Sequence, residues 1–183
     1  MSTDSDQGKF LNSIEISAVG RSLGEVAQAS VTESSEQAIH VAVQLGFPCR
    51  SAHAAIRNDI STALRAKYGV EVVNIELTTK IRRHGVQRNL QPIPGVRNLI
   101  AIASGKGGVG KSTVAANIAL ALAAEGANVG VLDADIYGPS QTEMLGLVGK
   151  VPDTKDGKTM LPLRAHGLQV MSMGALIEAD QPM

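Results

Sequence analysis

Aromatic residues are almost missing from this chain: two Phe, two Tyr and no Trp among 183 residues. Any core must therefore be packed from Val, Ile, Leu and Ala, and the 44% apolar content is enough to supply one. The length allows one ordinary domain or two small ones. Cysteine occurs once, at Cys49, so no disulfide can close within the chain and a cytoplasmic setting is expected. Net charge is missing too, because seventeen basic residues balance seventeen acidic ones. A neutral chain gives no electrostatic reason to expect nucleic acid or an anionic membrane as a partner. The longest apolar stretch, around IALALAA, falls far short of the roughly 20 residues of a membrane-spanning helix. The opening MSTDSDQGK lacks a basic start followed by an apolar run, so no signal peptide is expected. These absences describe a soluble globular protein.

Along the chain, residues 1–9 are polar and are expected to form a disordered tail. FLNSIEIS fits either a short helix or a strand, and 27–33 fits a strand. Ile39, Val41, Val43 and Leu45 alternate with more polar residues, the period of a half-buried strand. After GFPCRS, Ser51 is placed to cap a helix to about Lys67, with Ile56, Ile60, Ala63 and Leu64 on one face and Gly69 ending it. Val73, Ile75 and Leu77 then share one face of a further strand. Residues 10–81 thus read as a small α+β domain whose 27–81 part runs β–β–α–β. Residues 82–95, basic and broken by Pro92, Pro94 and Gly95, read as a linker whose charges face solvent. Residues 96–183 read as the start of an α/β domain with a mainly parallel sheet. Its elements are a buried strand over Leu99–Ala103, a helix over Ser112–Glu125, a strand over Asn128–Leu132 and another over Leu168–Met173.

Between the first of these strands and the helix stands ASGKGGVGKST. From Gly105 to Ser112 it fits G-x-x-x-x-G-K-S/T, a loop that cradles phosphate. Glycines let the backbone fold tightly enough to aim several N–H groups at one anion, and the helix start adds its dipole. Lys111 would set a positive charge near the β- and γ-phosphates, and Ser112 would offer its hydroxyl to Mg²⁺. The whole segment Gly105, Lys106, Gly107, Gly108, Val109, Gly110, Lys111, Ser112 and Thr113 is the candidate ATP-binding loop. Asp133 and Asp135 follow the next strand, where open α/β sheets bind ligands. They are candidates to hold Mg²⁺-bound water or orient an attacking water, with turn capping the other reading of Asp133. Cys49 reads as a small partly buried hydrophobe. His40, His53, His84 and His166 have no metal-ligand spacing.

KGGVGKST resembles the deviant phosphate loop of the ATPase class that contains MinD, ParA and the nitrogenase iron protein. LDADIYGPS followed by MLG is similar, within that class, to the Mrp/ApbC family of iron–sulfur cluster carrier ATPases. The small N-terminal domain and the segment from Val151 onward resemble the same family. The resemblance implies ATP hydrolysis by a homodimer closed face to face across ATP. Lys106 would reach into the partner's site as an arginine finger does, making Lys106, Lys111 and Asp135 catalytic. It implies a 4Fe–4S cluster, passed to apoproteins and held by a C-x-x-C pair that this chain does not contain. On that resemblance the chain is expected to be an N-terminal fragment that alone binds ATP poorly, hydrolyses it negligibly and holds no stable cluster. The alternatives are a partition or division-site ATPase of the ParA or MinD type, and a non-catalytic binding module.

Overall fold

The computed structural model describes residues 3–85, 91–135 and 138–176. The chain divides into two compact units, Met1–Leu99 and Ile100–Met183. In the first, α1 (Thr3–Ser13), β1 (Glu15–Ile16), β2 (Arg21–Ser22) and α2 (Leu23–Val26) lead into β3 (Ala27–Ser34), β4 (Ala38–Leu45), α3 (His53–Tyr68) and β5 (Val72–Thr79). β4 is the middle strand of a three-stranded sheet, antiparallel to β3 and parallel to β5. Parallel neighbours need a crossover, and α3 is that crossover.

The alternation read in the sequence sets the core of this unit. Ile39, Val41, Val43 and Leu45 of β4 are all buried, and so are Ile56, Ile60 and Leu64 of α3. The spacing of two puts one set on a single sheet face, and the spacing of four puts the other on a single helix face. Each such side chain contributes about 1.5–3 kcal/mol when fully buried. Gly69 closes α3 with φ 68°, a left-handed position that glycine adopts without strain, and its N–H donates to Arg65 O at 2.9 Å. The start of α3 differs from expectation. A 3₁₀ turn over Arg50–Ala52 tightens the entry, so Ala52 rather than Ser51 takes the cap position.

Residues 3–9 belong to α1, where a disordered tail was expected. The cause lies outside the local sequence. Leu11 is fully buried, the Phe10 ring meets the Tyr68 ring edge-on at 5.8 Å, and Lys67 Nζ sits 4.0 Å from the Phe10 centroid. The last turn of α3 thus anchors α1. FLNSIEIS resolves into both readings, ending α1 and then supplying β1. Beyond β5 the backbone stays with the unit: Lys80 N donates to Leu45 O, Arg82 N to Gly46 O, and Asn98 Nδ2 to Arg82 O.

The second unit comprises α4 (Lys111–Ala124), β6 (Val129–Asp133), α5 (Gln141–Met144), β7 (Leu163–Ala165) and β8 (Leu168–Ser172). Its sheet is mixed, in the order β6-β8-β7, with β6 parallel and β7 antiparallel to β8. His166 (φ 50°) and Gly167 (φ 78°) form the two-residue turn between β7 and β8. Gly126 (φ 96°) ends α4. The strand expected over Leu99–Ala103 does not form, and Leu99 and Ile100 are 71% and 62% exposed. A continuous apolar run becomes a strand only where a neighbour takes its backbone hydrogen bonds and layers cover both faces. In the described sheet β6 and β8 pair with each other, and no ladder reaches this run.

Candidate functional site

The glycine-rich segment leads directly into α4. Gly108 (φ 73°) and Gly110 (φ 85°) occupy the left-handed region, so their identity is a backbone requirement. Gly110 caps α4 and its carbonyl accepts from Val114 N at 2.9 Å. The Ser104 hydroxyl bonds both the N–H and the carbonyl of Lys106, tightening the loop entry. A Cβ added at Gly105, Gly107, Gly108 or Gly110 would meet nothing within 4 Å. Among the described residues, no group outside the loop's own neighbours crowds these four positions. Gly105, Lys106, Gly107, Gly108, Val109 and Gly110 are exposed, Lys111 and Ser112 are half-buried in the first turn of α4, and Thr113 is exposed.

Two expected site residues meet directly, since the Lys111 ammonium pairs with Asp135 Oδ2. Their side chains are 29% and 32% exposed, so the pair is worth only about 0–1 kcal/mol and can be exchanged for a stronger anion. Asp133 ends β6 and serves as a local cap. Its Oδ1 accepts from Asp135 N at 3.1 Å, and its Oδ2 accepts from Gln141 N at 3.2 Å and from the buried Ser172 hydroxyl at 3.0 Å. Both readings of Asp133 remain chemically open, because a carboxylate has about four acceptor positions. Lys106 makes no ion pair among the described residues.

Gln141 was not singled out by sequence reasoning. It is 3% exposed, and its Nε2 donates to Ser112 O at 3.0 Å while its backbone N–H holds Asp133. A carbonyl can only accept, which fixes the orientation of the amide. Its Oε1 is buried without a hydrogen-bond partner among the described residues. The Gln141 amide therefore joins the start of α4 to the end of β6 and leaves one acceptor unmatched beside Ser112. A glutamine in a loop-rich segment carries no sequence signal for such a role.

The donor set of glycine-loop amides, Lys111 and the α4 N-terminus is of the kind that suits a polyphosphate. It does not fit an iron–sulfur cluster. Cys49 is 6% exposed in the core of the first unit, and no group of three or more His, Cys, Asp or Glu among the described residues is arranged to hold a metal.

Residues 95–183 match the family model described as ParA, NUBPL iron-transfer P-loop NTPase. Over that segment the chain is similar to the iron-transfer P-loop NTPases. Curated relatives carry names of the same kind. The Iron-sulfur cluster carrier protein of Pseudomonas fragi is 52% identical over 116 residues, 63% of this chain and 40% of the relative. The Iron-sulfur cluster carrier protein of Escherichia coli K12 is 43% identical over 148 residues, 81% of this chain and 40% of the relative. The mouse Iron-sulfur cluster transfer protein NUBPL is 49% identical over 107 residues, 57% of this chain and 33% of the relative. The chain thus spans about two-fifths or less of the length of these relatives. Among solved structures, a nucleotide-binding protein from Archaeoglobus fulgidus in complex with ADP matches with 43% identity and a TM-score of 0.39, covering 41% of this chain and 31% of that one.

Proposed function

We propose that this chain is the ATP-binding part of an ATP-hydrolysing iron–sulfur cluster carrier, with the 4Fe–4S cluster as its cargo and apoproteins as the recipients. The meeting of Lys111 and Asp135 at the start of α4, beside an open glycine loop, carries the nucleotide half of this reading. The carrier half rests on likeness. A match of 148 residues is longer than the 95–183 segment, so it extends into the first unit. A partition or division-type ATPase would share the loop but gives no account of that extension.

The residues divide the work. Lys111 exchanges the Asp135 carboxylate for phosphate oxygens when ATP enters, and the loop amides hold the remaining charge. Asp135, released from the ammonium, is left to orient the water that attacks the terminal phosphorus. The P–O bond to ADP breaks as the new one forms, and the proton of the water leaves with the phosphate product. Ser112, with Asp133 or Asp135, would hold Mg²⁺, which supplies charge neutralisation between the phosphates. Lys106, unpaired in its own subunit among the described residues, acts across a homodimer on charge that develops only in the transition state.

Equilibrium titration with a fluorescent ATP analogue tests the first part. Weak, Mg²⁺-dependent binding is expected, and Lys111→Ala should abolish it. In dimers that turn ATP over, Lys106→Ala should leave affinity nearly unchanged and slow hydrolysis on the order of 10³-fold, the scale of a lost arginine finger. Unaltered turnover in Lys106→Ala would remove the role in trans.

A further inference from the structure

The first unit contains a cleft with a volume of about 560 Å³. It opens beyond the carboxyl ends of the parallel strands β4 and β5, the position at which open sheets present ligand sites. Four cations line it, Lys80, Arg82, Arg83 and Arg97, with no carboxylate among the lining residues. Gln28 and Gln44, directly opposed in the β3–β4 register, add two amides. None of the four cations makes an ion pair among the described residues. In a chain with no net charge, this grouping is a segregation of charge, and like charges gathered in one cleft favour a bound anion.

The backbone fixes the cleft walls. Lys80 N donates to Leu45 O at 2.9 Å and Arg82 N to Gly46 O at 3.0 Å, which continues the line of β5 past the end of β4. The Arg82 side chain lies over Gly46, where an added Cβ would stand 2.9 Å from its Nε. Gly46 is thus the residue that lets this guanidinium lie against the sheet end. Asn98 accepts from His84 N at 2.8 Å and donates to Arg82 O at 2.9 Å, which ties the segment carrying Val96 and Arg97 to the basic segment after β5. Three guanidiniums with planar forks match carboxylate and phosphate oxygens, and the volume exceeds what one such group fills.

We propose that this cleft is a binding site for a small polyanion carrying two or more oxyanion groups, a di- or triphosphate or a polycarboxylate. The site is separate from the glycine loop and stands whether or not that loop binds ATP.

Pyrophosphate and citrate serve as probes, titrated separately into isotope-labelled chain carrying Lys111→Ala so that the glycine loop is silenced. Saturable NMR shifts of the Gly46, Lys80, Arg82 and Arg97 amides are expected with at least one probe. A response to pyrophosphate alone assigns a phosphate ligand, and a response to citrate as well assigns the wider oxyanion class. Arg82→Gln and Arg97→Gln, one in each of the two segments that line the cleft, should each weaken binding by about tenfold, the worth of a charge-assisted hydrogen bond. Saturation by neither probe at millimolar concentration overturns the proposal. So does binding that survives unchanged in both variants, which would leave these arginines as solvated surface.

Discussion

The described parts of the two units hide very different amounts of apolar surface. Among the described residues of Met1–Leu99, fourteen buried ones form one cluster between the sheet, α3 and α1, whereas among those of Ile100–Met183 the corresponding cluster has five. α4 shows where the difference arises. It is apolar nearly all round, yet only Ala116 and Ala119 are buried while Val114 and Ile118 remain exposed. A helix of that composition is built to lie between layers, and the described part of the unit covers it on one side. In the first unit the apolar residues follow the strand and helix periods and close on each other. In the second, much of the sequence is committed to glycine turns and polar contacts around Lys111 and Asp133.

Core truncation should separate the units most clearly. Leu64→Ala removes a fully buried α3 side chain and should cost roughly 2–5 kcal/mol, read by urea unfolding of the first unit. Leu147→Ala in the smaller cluster should fall at about the lower end of that range, because its sparser surroundings can collapse around the gap. Equal losses would erase the contrast drawn from the two cores. The next effect tests the backbone of the loop. Gly110→Ala places a side chain in open space but at φ 85°, so only conformational strain of about 1–2 kcal/mol is expected. Hydrogen exchange in the first turn of α4 should accelerate, with no change in the first unit.

These contrasts bear on what the sequence made legible. Ile39 to Leu45 and Ile56 to Leu64 were readable because a period of two or four is a local property that survives into the core. α1 was not readable, since its anchor is a pair of residues at the far end of α3. Leu99–Ala103 misled for the converse reason: its apolar run records what it can bury, and strand formation depends on a partner. The loop glycines and Lys111 were legible from spacing alone. The Asp135 pairing and the bridge made by Gln141 were not, because each joins segments that lie far apart in the chain.

The smallest expected effect is at acid pH, and it touches both units. The Glu25 carboxylate accepts from the backbone N–H and hydroxyl of Ser22, which hold its pKa below 4.5. The backbone N–H groups of Thr159 and Lys158, with the Thr159 hydroxyl, hold that of Asp156 below 3.8. A depressed carboxylate pKa stabilises the fold above the unfolded value, and the contribution fades as pH falls through the folded one. Local NMR shifts at Ser22 and Thr159 should therefore change only under acid conditions. A transition at Thr159 above the ordinary carboxylate range would mean that its turn is held by something other than Asp156.

The edge-on contact between Phe10 and Tyr68 has an optical consequence. With no tryptophan in the chain, near-ultraviolet dichroism must come from a handful of rings held in asymmetric surroundings. Tyr68 is one of them, and burial with the nearby Asp6 charge pushes its hydroxyl pKa above 10.0. Its partner ring comes from α1, so the band reports whether that helix is docked on α3. Delayed appearance of tyrosinate absorbance in alkali reads the same contact from the other side. The scarcity of aromatic rings thus gives the docking of one helix a spectroscopic signature with little to obscure it.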